Sequence, residues 1–562
     1  MKYFYCLIAF IFAISLTGGA EKSGPVISDV QYSDVQLYSV KITWRTDSPS
    51  DSKVRWMMSD SLNESIVYTD SVYSSSMDTI HSVTLNYLNV NTIYNFNVTS
   101  SNQYGSSTSE NSVFITMSAC EGWVNVYFNS TVDTTVKTSV NAEQLVNLEE
   151  TLLNRISNSG FYIDAALSSF EDAAAITDAL IRAKNDDVVI RVVYDGKQNS
   201  NWIDTLIAHG IPVLKRNYDT GSGHGMHMNF WVFDARCTCS GGLVYVWNSS
   251  AEITHQSLCI DKNSAVEVND RALAYVYTRE FDEMWGSHGD LPVVSQSKFG
   301  SLKKDNTPHI VNLNGIVTEI YFAPSDSVEK RIRSLMSGTA SGIMFGTYDF
   351  KSQNLYNTLY SLRTSRQIKG IFDLVNSGTG IFNQMKNWAD VWVDSTNGRL
   401  SHSYLLCDPL QNNQNTSLVM GSYDWTTASN LNNDEDIMIF HSPVITNQYY
   451  QEFHQRYKDV TGHPVGIGVI SSETPDEFYL YQNYPNPFNA GTNIKFSINK
   501  TSQVSITVYN ILGRKVAEPL NGRRGPGTYN LNFNAGNLSS GIYYYVLKAG
   551  DFVSVKKFVL LK

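Results

Sequence analysis

Gly225-Met226-His227-Met228-Asn229-Phe230-Trp231-Val232-Phe233-Asp234 is the stretch whose reading decides the fold. A histidine opens a short apolar run, and an aspartate closes it seven residues later. At strand period His227, Asn229, Trp231 and Phe233 share one face, and Met228, Phe230 and Val232 the other. The two polar side chains therefore project from one side at the start of a buried strand. A sheet presents catalytic groups at its edge in this way.

Around this stretch strands alternate with helices. Val126-Tyr127-Phe128 reads as a strand, 142–157 as a helix, 160–167 as a strand and 173–184 as a helix. A strand over 187–194 ends at Asp195, and a helix over 202–209 leads to Ile211-Pro212-Val213-Leu214. This βαβ rhythm predicts a sheet flanked by helices. The order then recurs. Ile320-Tyr321-Phe322 echoes Val126-Tyr127-Phe128, and Ile371-Phe372-Asp373 echoes Val193-Tyr194-Asp195. Leu405-Leu406-Cys407-Asp408 echoes Trp231-Val232-Phe233-Asp234, and Gly421-Ser422-Tyr423-Asp424-Trp425-Thr426 echoes Ser249-Ser250-Ala251-Glu252-Ile253-Thr254. The two aspartates are 174 residues apart and the downstream stretches 172, and a shared order closing at such similar offsets marks an internal duplication. The expected halves are 122–290 and 305–462, joined by a polar stretch.

These residues together resemble the phospholipase D superfamily. Each of its two halves carries His-x-Lys-x4-Asp followed by Gly-Ser-x-Asn/Asp-Trp-Thr. The resemblance implies a duplicated α/β fold and phosphodiester hydrolysis, on phospholipid or nucleic acid, through a phosphohistidine. One histidine attacks phosphorus while the other protonates the leaving alkoxide and then activates water. Lysines hold the non-bridging oxygens as charge builds, and the aspartates orient the histidines. No metal or other cofactor is required.

Carried onto this chain, the pattern is incomplete. His227 and Asp234 stand at the histidine and aspartate positions of the first half, but Asn229 replaces the lysine. An amide donates a hydrogen bond without a positive charge, a loss of roughly 2–4 kcal/mol in transition-state stabilisation. In the second half, aligning Asp408 with Asp234 puts Ser401 at the histidine position and Ser403 at the lysine position. His402 is one residue out and so faces the other side, unless a bulge re-registers the strand and brings Tyr404 to the lysine position. Downstream, Gly421, Ser422 and Asp424 keep the phosphate-binding pattern. In the first half Ser249 and Glu252 occupy it, and a carboxylate at 252 repels phosphate unless protonated. Thr426 also reads as a helix N-cap, and His224 and His255 as surface or turn residues.

The flanks are all-β. Residues 24–117 hold short alternating segments such as Val40-Lys41-Ile42-Thr43-Trp44 and Ile93-Tyr94-Asn95-Phe96-Asn97-Val98, a sandwich pattern. With Trp44, Tyr94 and the turn Asn102-Gln103-Tyr104-Gly105, this stretch resembles a fibronectin type III domain and reads as a spacer. After a linker over 463–480, Asn483-Tyr484-Pro485-Asn486-Pro487-Phe488-Asn489 opens a second alternating region that ends in Lys556-Lys557-Phe558-Val559-Leu560-Leu561-Lys562. Residues 481–562 resemble the C-terminal sorting domain of type IX secretion, an Ig-like sandwich. That resemblance implies the type IX machinery as a partner and a secreted or cell-surface location, reached through the periplasm. Residues 1–20, with Lys2, an apolar core and Thr17-Gly18-Gly19-Ala20, read as a cleaved signal peptide. Its core is short for a membrane span.

Composition is consistent with export. At 562 residues the chain is too long for one core, and charged residues are only 17% of it. A net charge of −11 argues against a sequence-independent grip on nucleic acid. Removing the signal leaves Cys120, Cys237, Cys239, Cys259 and Cys407, an odd set in which the middle three lie close enough for one local disulfide. Fold points to a phosphodiesterase, and the missing motif residues point to an impaired enzyme. The alternative is a catalytically inactive, phosphate- or surface-binding or adhesive protein on the same scaffold. Because the duplication supplies both half-sites, a monomer suffices.

Overall fold

The computed structural model describes residues 23–59, 66–119, 122–196, 200–216, 225–237, 243–376, 380–411, 415–462, 467–471 and 475–561, the last apart from 476, 490, 525 and 537. The signal peptide, His224 and Cys239 lie outside the described residues.

The duplication is visible as topology. The first half is a seven-stranded sheet in the spatial order Val213–Lys215, Val189–Tyr194, Tyr162–Leu167, Asn229–Phe233, Tyr245–Ser249, Ser264–Asn269, Trp123–Phe128. The second repeats that order as Asp390–Asp394, Gln367–Asp373, Gly342–Thr347, Tyr404–Cys407, Ser417–Gly421, Glu435–Phe440, Ile316–Ala323, and adds Ile310–Leu313 at the edge, eight strands in all. In both, the motif strand is antiparallel to its neighbours on either side, while the first three strands run parallel.

Two long helices close the halves, Arg271–Trp285 and Pro443–Thr461. Each begins on a side-chain cap: Asp270 accepts from Leu273 N at 2.8 Å, and Ser442 from Ile445 N at 3.4 Å with Pro443 behind it. Gly286 and Gly462 end them in the left-handed conformation. Only Tyr275 of the first helix escapes full burial, so its charged residues must be paired. Arg191 reaches Asp282 at 2.9 Å and Asp164 at 2.6 Å, and Lys303 lies against Glu280 at 2.5 Å. One apolar core runs through both halves, including Phe230, Val232, Tyr277, Leu406, Met438 and Phe453.

Local differences from the sequence reading have simple causes. The first helix starts at Leu148, not 142, because Asn147 caps it on Glu150 N at 3.1 Å. The expected linker contributes Ile467–Ser471, which pairs antiparallel with Gly527–Asn534 and so belongs to the C-terminal β region. The N-terminal module is all-β, with Trp44 and Tyr94 in its core and the Tyr94 hydroxyl accepting from Asn89 N at 2.8 Å. Cys237 is disulfide-bonded, whereas Cys259 and Cys407 are free, so a bridge through Cys259 is excluded. Among the described residues no helix is long and apolar enough to cross a membrane.

Candidate functional site

Two short segments meet across the boundary between the halves, and each is held by the same bonds, one within its own half and one to the other. Met226 N donates to Asp195 at 2.7 Å, and Leu400 N to Asp373 at 2.8 Å. His227 N donates to Asp434 O at 2.9 Å, and Ser401 N to Lys262 O at 3.0 Å. Met226 forms a bridge with Asp434 and Leu400 one with Lys262, both parallel. Ser401 is therefore the structural counterpart of His227, and Ser403 that of Asn229.

A cleft of about 180 Å³ opens between the segments, lined by both half-sites. His227, Asn229, Ser250 and Glu252 come from the first half, and Ser401, Ser403, Gly421, Ser422 and Asp424 from the second. Ser168, Ser257, Tyr348 and Arg399 complete the wall. Nδ1 of His227 lies 2.8 Å from Oε1 of the fully buried Glu435 and 4.0 Å from Asp424. The Glu435 carboxylate outweighs desolvation and holds the imidazole up at about 10, so it is cationic at neutral pH. Burial and the neighbouring Glu435 raise the Asp424 carboxyl. Desolvation in the cleft wall raises Glu252 as well, against the pull of Arg399 and His227.

Asn229 and Ser403, at the positions where the resemblance expects lysine, are tied to the backbone in the same way. Asn229 Oδ1 accepts from Ser168 N at 3.2 Å and from Ser168 Oγ at 2.8 Å, and Ser403 Oγ accepts from Tyr348 N at 3.2 Å. Gly421, at φ 141°, has no room for a side chain, since a Cβ there would stand 2.3 Å from Asp436 O. Ser422 Oγ donates to Asp436 at 2.9 Å, and Thr426 caps the following helix through Ser429 N at 3.1 Å.

The bulge that would have brought His402 into the cleft is absent, and the parts expected of Asp234, Asp408 and Ser249 need correction. His402 does not enter the cleft. The strand it precedes pairs in unbroken register, with no bulge, and its ring is 1% exposed, 3.4 Å from Glu452 and edge-on to Tyr404. Asp234 and Asp408 do not orient histidines. Each sits at the far end of its strand, at φ 57° and 52°, and caps the start of the neighbouring strand. Asp234 accepts from the backbone N–H of Gly160, Phe161 and Tyr162, and Asp408 from those of Ala340, Ser341 and Gly342. Ser249 is buried, bonded to Ser264 O at 3.2 Å, and its neighbour Ser250 lines the cleft instead. The carboxylate beside the His227 ring is instead Glu435, from the opposite half.

Sequence reading also missed Arg399. It is half-exposed and donates Nε–H and Nη2–H to Asp261 at 2.9 and 2.7 Å, with its guanidinium 5.8 Å from the Tyr348 ring centre. The signal lay in the repeat, since the Ser401 alignment puts Arg399 opposite Gly225. Among the described residues one cluster has metal-ligand chemistry, Asp305, His309 and Asp326. Both imidazole nitrogens there are already engaged, Nε2 with Asp305 at 3.1 Å and Nδ1 with Ile320 O at 2.9 Å. His255 is exposed at a short helical turn.

Comparison with known proteins finds two family matches. The family described as "Cardiolipin synthase, PLD-like domain" matches residues 152–285, and the "Secretion system C-terminal sorting domain" matches 482–561. Among solved structures, the chain is similar to the phosphatidylserine synthase of Haemophilus influenzae, at 12% identity and a TM-score of 0.41, covering 56% of this chain and 84% of that one. It is also similar to the polyphosphate kinase of Porphyromonas gingivalis, at 11% identity and a TM-score of 0.41, over 60% of this chain and 50% of that one. A phospholipase D family member, Nuc of Salmonella typhimurium, matches at 18% identity and a TM-score of 0.23, over 29% of this chain and 94% of that one. No curated protein matches. The chain thus carries a phospholipase D-like domain and, at its C-terminal end, a sorting domain that marks it for export.

Proposed function

We propose that this exported phospholipase D-superfamily protein binds a phosphodiester group in the cleft between its halves and does not run the two-histidine hydrolysis of its family. One observation carries the reading. Ser401 occupies the place of the second histidine, and the adjacent His402 is turned into the core against Glu452. The Ser401 hydroxyl, which donates to Asp261 at 3.5 Å, is too weak an acid and base to protonate a leaving alkoxide or activate water as an imidazole does. His227, charged beside Glu435, has no free lone pair for attack on phosphorus and acts as a cation. Ser168, Ser250, Ser401 and Ser422 already donate within the protein, whereas the hydroxyls of Ser257 and Ser403 accept from Glu252 N and Tyr348 N and supply the neutral donors of the wall. Burial biases the Glu252 and Asp424 carboxyls toward their neutral form, and a dianionic monoester would meet repulsion from whichever of them ionises, so a monoanionic diester suits the cleft better. The N-terminal module acts as a fibronectin type III-like spacer, and the chain works as a monomer at the cell surface or beyond it.

A one-histidine hydrolase is the second reading, favoured by the His227–Glu435 pair, which is an arrangement suited to an orienting carboxylate. The two are separated by calorimetric titration of the full chain with bis(p-nitrophenyl) phosphate at low ionic strength, run beside a turnover assay and a His227→Ala control. Binding without turnover, weakened in the variant, is the expected result. Turnover that the variant abolishes would replace binding by hydrolysis, and absence of any binding would refute the proposal.

A further inference from the structure

The second half of the cleft is rebuilt rather than merely depleted. The bond pattern that makes Ser401 the counterpart of His227 also makes Arg399 the counterpart of Gly225: Asp434 N donates to Gly225 O at 2.9 Å, and Lys262 N to Arg399 O at 2.7 Å. One step further, Gly225 N donates to Asn433 Oδ1 at 2.9 Å, and Arg399 N to Asp261 Oδ1 at 3.1 Å. Asp261 therefore corresponds to Asn433, and Asn263 to Glu435. In the first half the charged pair is His227 with Glu435, and the Gly225–Asn433 position is neutral. In the second half the His–Glu position has become Ser401 and Asn263, while the neighbouring position has gained Arg399 and Asp261. The charge has moved two residues along both segments.

Steric exclusion links the two changes. A Cβ on Gly225 would stand 2.8 Å from His227 Nε2, so a side chain at that position conflicts with the imidazole. With serine at 401 the conflict disappears, and a long side chain can occupy the vacated space. Asp261 fixes it there: Asp261 is 1% exposed, whereas the Arg399 side chain is 51% exposed and lines the cleft. Asp261 takes Nε and Nη2 through one oxygen, which holds the planar guanidinium in a fixed orientation.

We infer that the Arg399–Asp261 pair is the second half's replacement for the missing histidine–glutamate pair, and that Arg399 contacts a non-bridging oxygen of the bound phosphodiester opposite His227. A guanidinium stays protonated throughout the working pH range, so it binds an oxyanion but does no acid–base work. The inference rests on the phosphodiester-binding reading above and assigns that site its second cation.

The test titrates the full-length protein and its Arg399→Ala, Arg399→Lys, Asp261→Asn and His227→Ala variants with bis(p-nitrophenyl) phosphate, with phenyl phosphate as the monoester arm. Arg399→Ala should weaken diester binding about ten-fold or more, the range for one charge-assisted contact. Arg399→Lys should recover part of that loss, because charge is kept without the fork. The slope of log affinity against log salt should be shallower in Arg399→Ala than in the parent, a change that loss of packing alone would not produce. Equal diester affinity in Arg399→Ala and the parent, with His227→Ala impaired, would overturn the role of Arg399 and leave the binding site standing. No binding by the parent would instead bring down the phosphodiester reading itself.

Discussion

Nδ1 of His227 and Oε1 of Glu435 stand 2.8 Å apart, although the two residues belong to opposite halves of the duplication. Neither half builds its own charged group. Each segment presents a side chain, and the start of a strand in the other half supplies its partner. In the mirror position the counterparts Ser401 and Asn263 carry no charge, and Asn263 bonds instead to Ser257 O at 2.8 Å. Loss of the second histidine is thus accompanied by loss of the carboxylate that would have held it.

Glu435→Gln isolates that pair, since the shape is kept and the charge removed. The His227 titration, followed by NMR and assigned with His227→Ala, should fall from about 10 toward its ordinary 6.5. An unchanged midpoint would mean that the charge of Glu435 does not hold the proton.

The same shift carries a stability signature. The folded-state pKa lies above the unfolded value, so the stabilisation is fully present below about pH 6.5 and is lost as pH rises through about 10. The imidazole side chain is 44% exposed, and solvent screening reduces the effect to about 1–2 kcal/mol. Denaturant melts of the parent and His227→Ala should therefore differ most in mildly acidic buffer and converge in strong alkali. A gap that widens with pH would contradict the assignment.

Asp234 and Asp408 give the opposite kind of prediction. Each holds three backbone N–H groups, and alanine leaves those donors without the carboxylate. Either substitution should cost about 3 kcal/mol of stability, read as a lower unfolding midpoint, with diester affinity of the folded protein unchanged. Reduced affinity at unaltered stability would restore the aspartates to the site.

These cases mark what the chain discloses before it is folded. The duplication and the Ser401 register were legible because a strand has period two and the repeat fixes its phase, and topology then reproduced the order strand by strand. The role of the aspartates was not legible. Their place in the motif says nothing about whether they point to a histidine or to the backbone seventy-odd residues away, as Asp234 does at Gly160. Glu435 and Asp261 were hidden for the same reason, since each acts on a partner in the other half. Arg399 was within reach, because the Ser401 alignment already put it opposite Gly225. What was lacking was the closeness of Gly225 to the His227 ring, which only coordinates supply.

That closeness leads to a reconstruction experiment. Ser401→His alone would set an imidazole against the Arg399 side chain, just as a Cβ on Gly225 would press on His227. Combining it with Arg399→Gly, Asp261→Asn and Asn263→Glu reproduces around position 401 the residue set Gly225, His227, Asn433 and Glu435. The introduced imidazole should then gain a buried carboxylate partner and titrate well above 6.5 by NMR, as His227 does. A positioned acid or base contributes about 10²–10⁴ in rate, so near pH 10, where part of the His227 population is neutral and free to attack, bis(p-nitrophenyl) phosphate turnover should become detectable above the parent's even with both lysines absent. The gain should vanish when His227→Ala is added. A folded variant whose new imidazole titrates high but whose turnover stays at the parent level would show that the missing lysines, not the missing histidine, keep the cleft from hydrolysis.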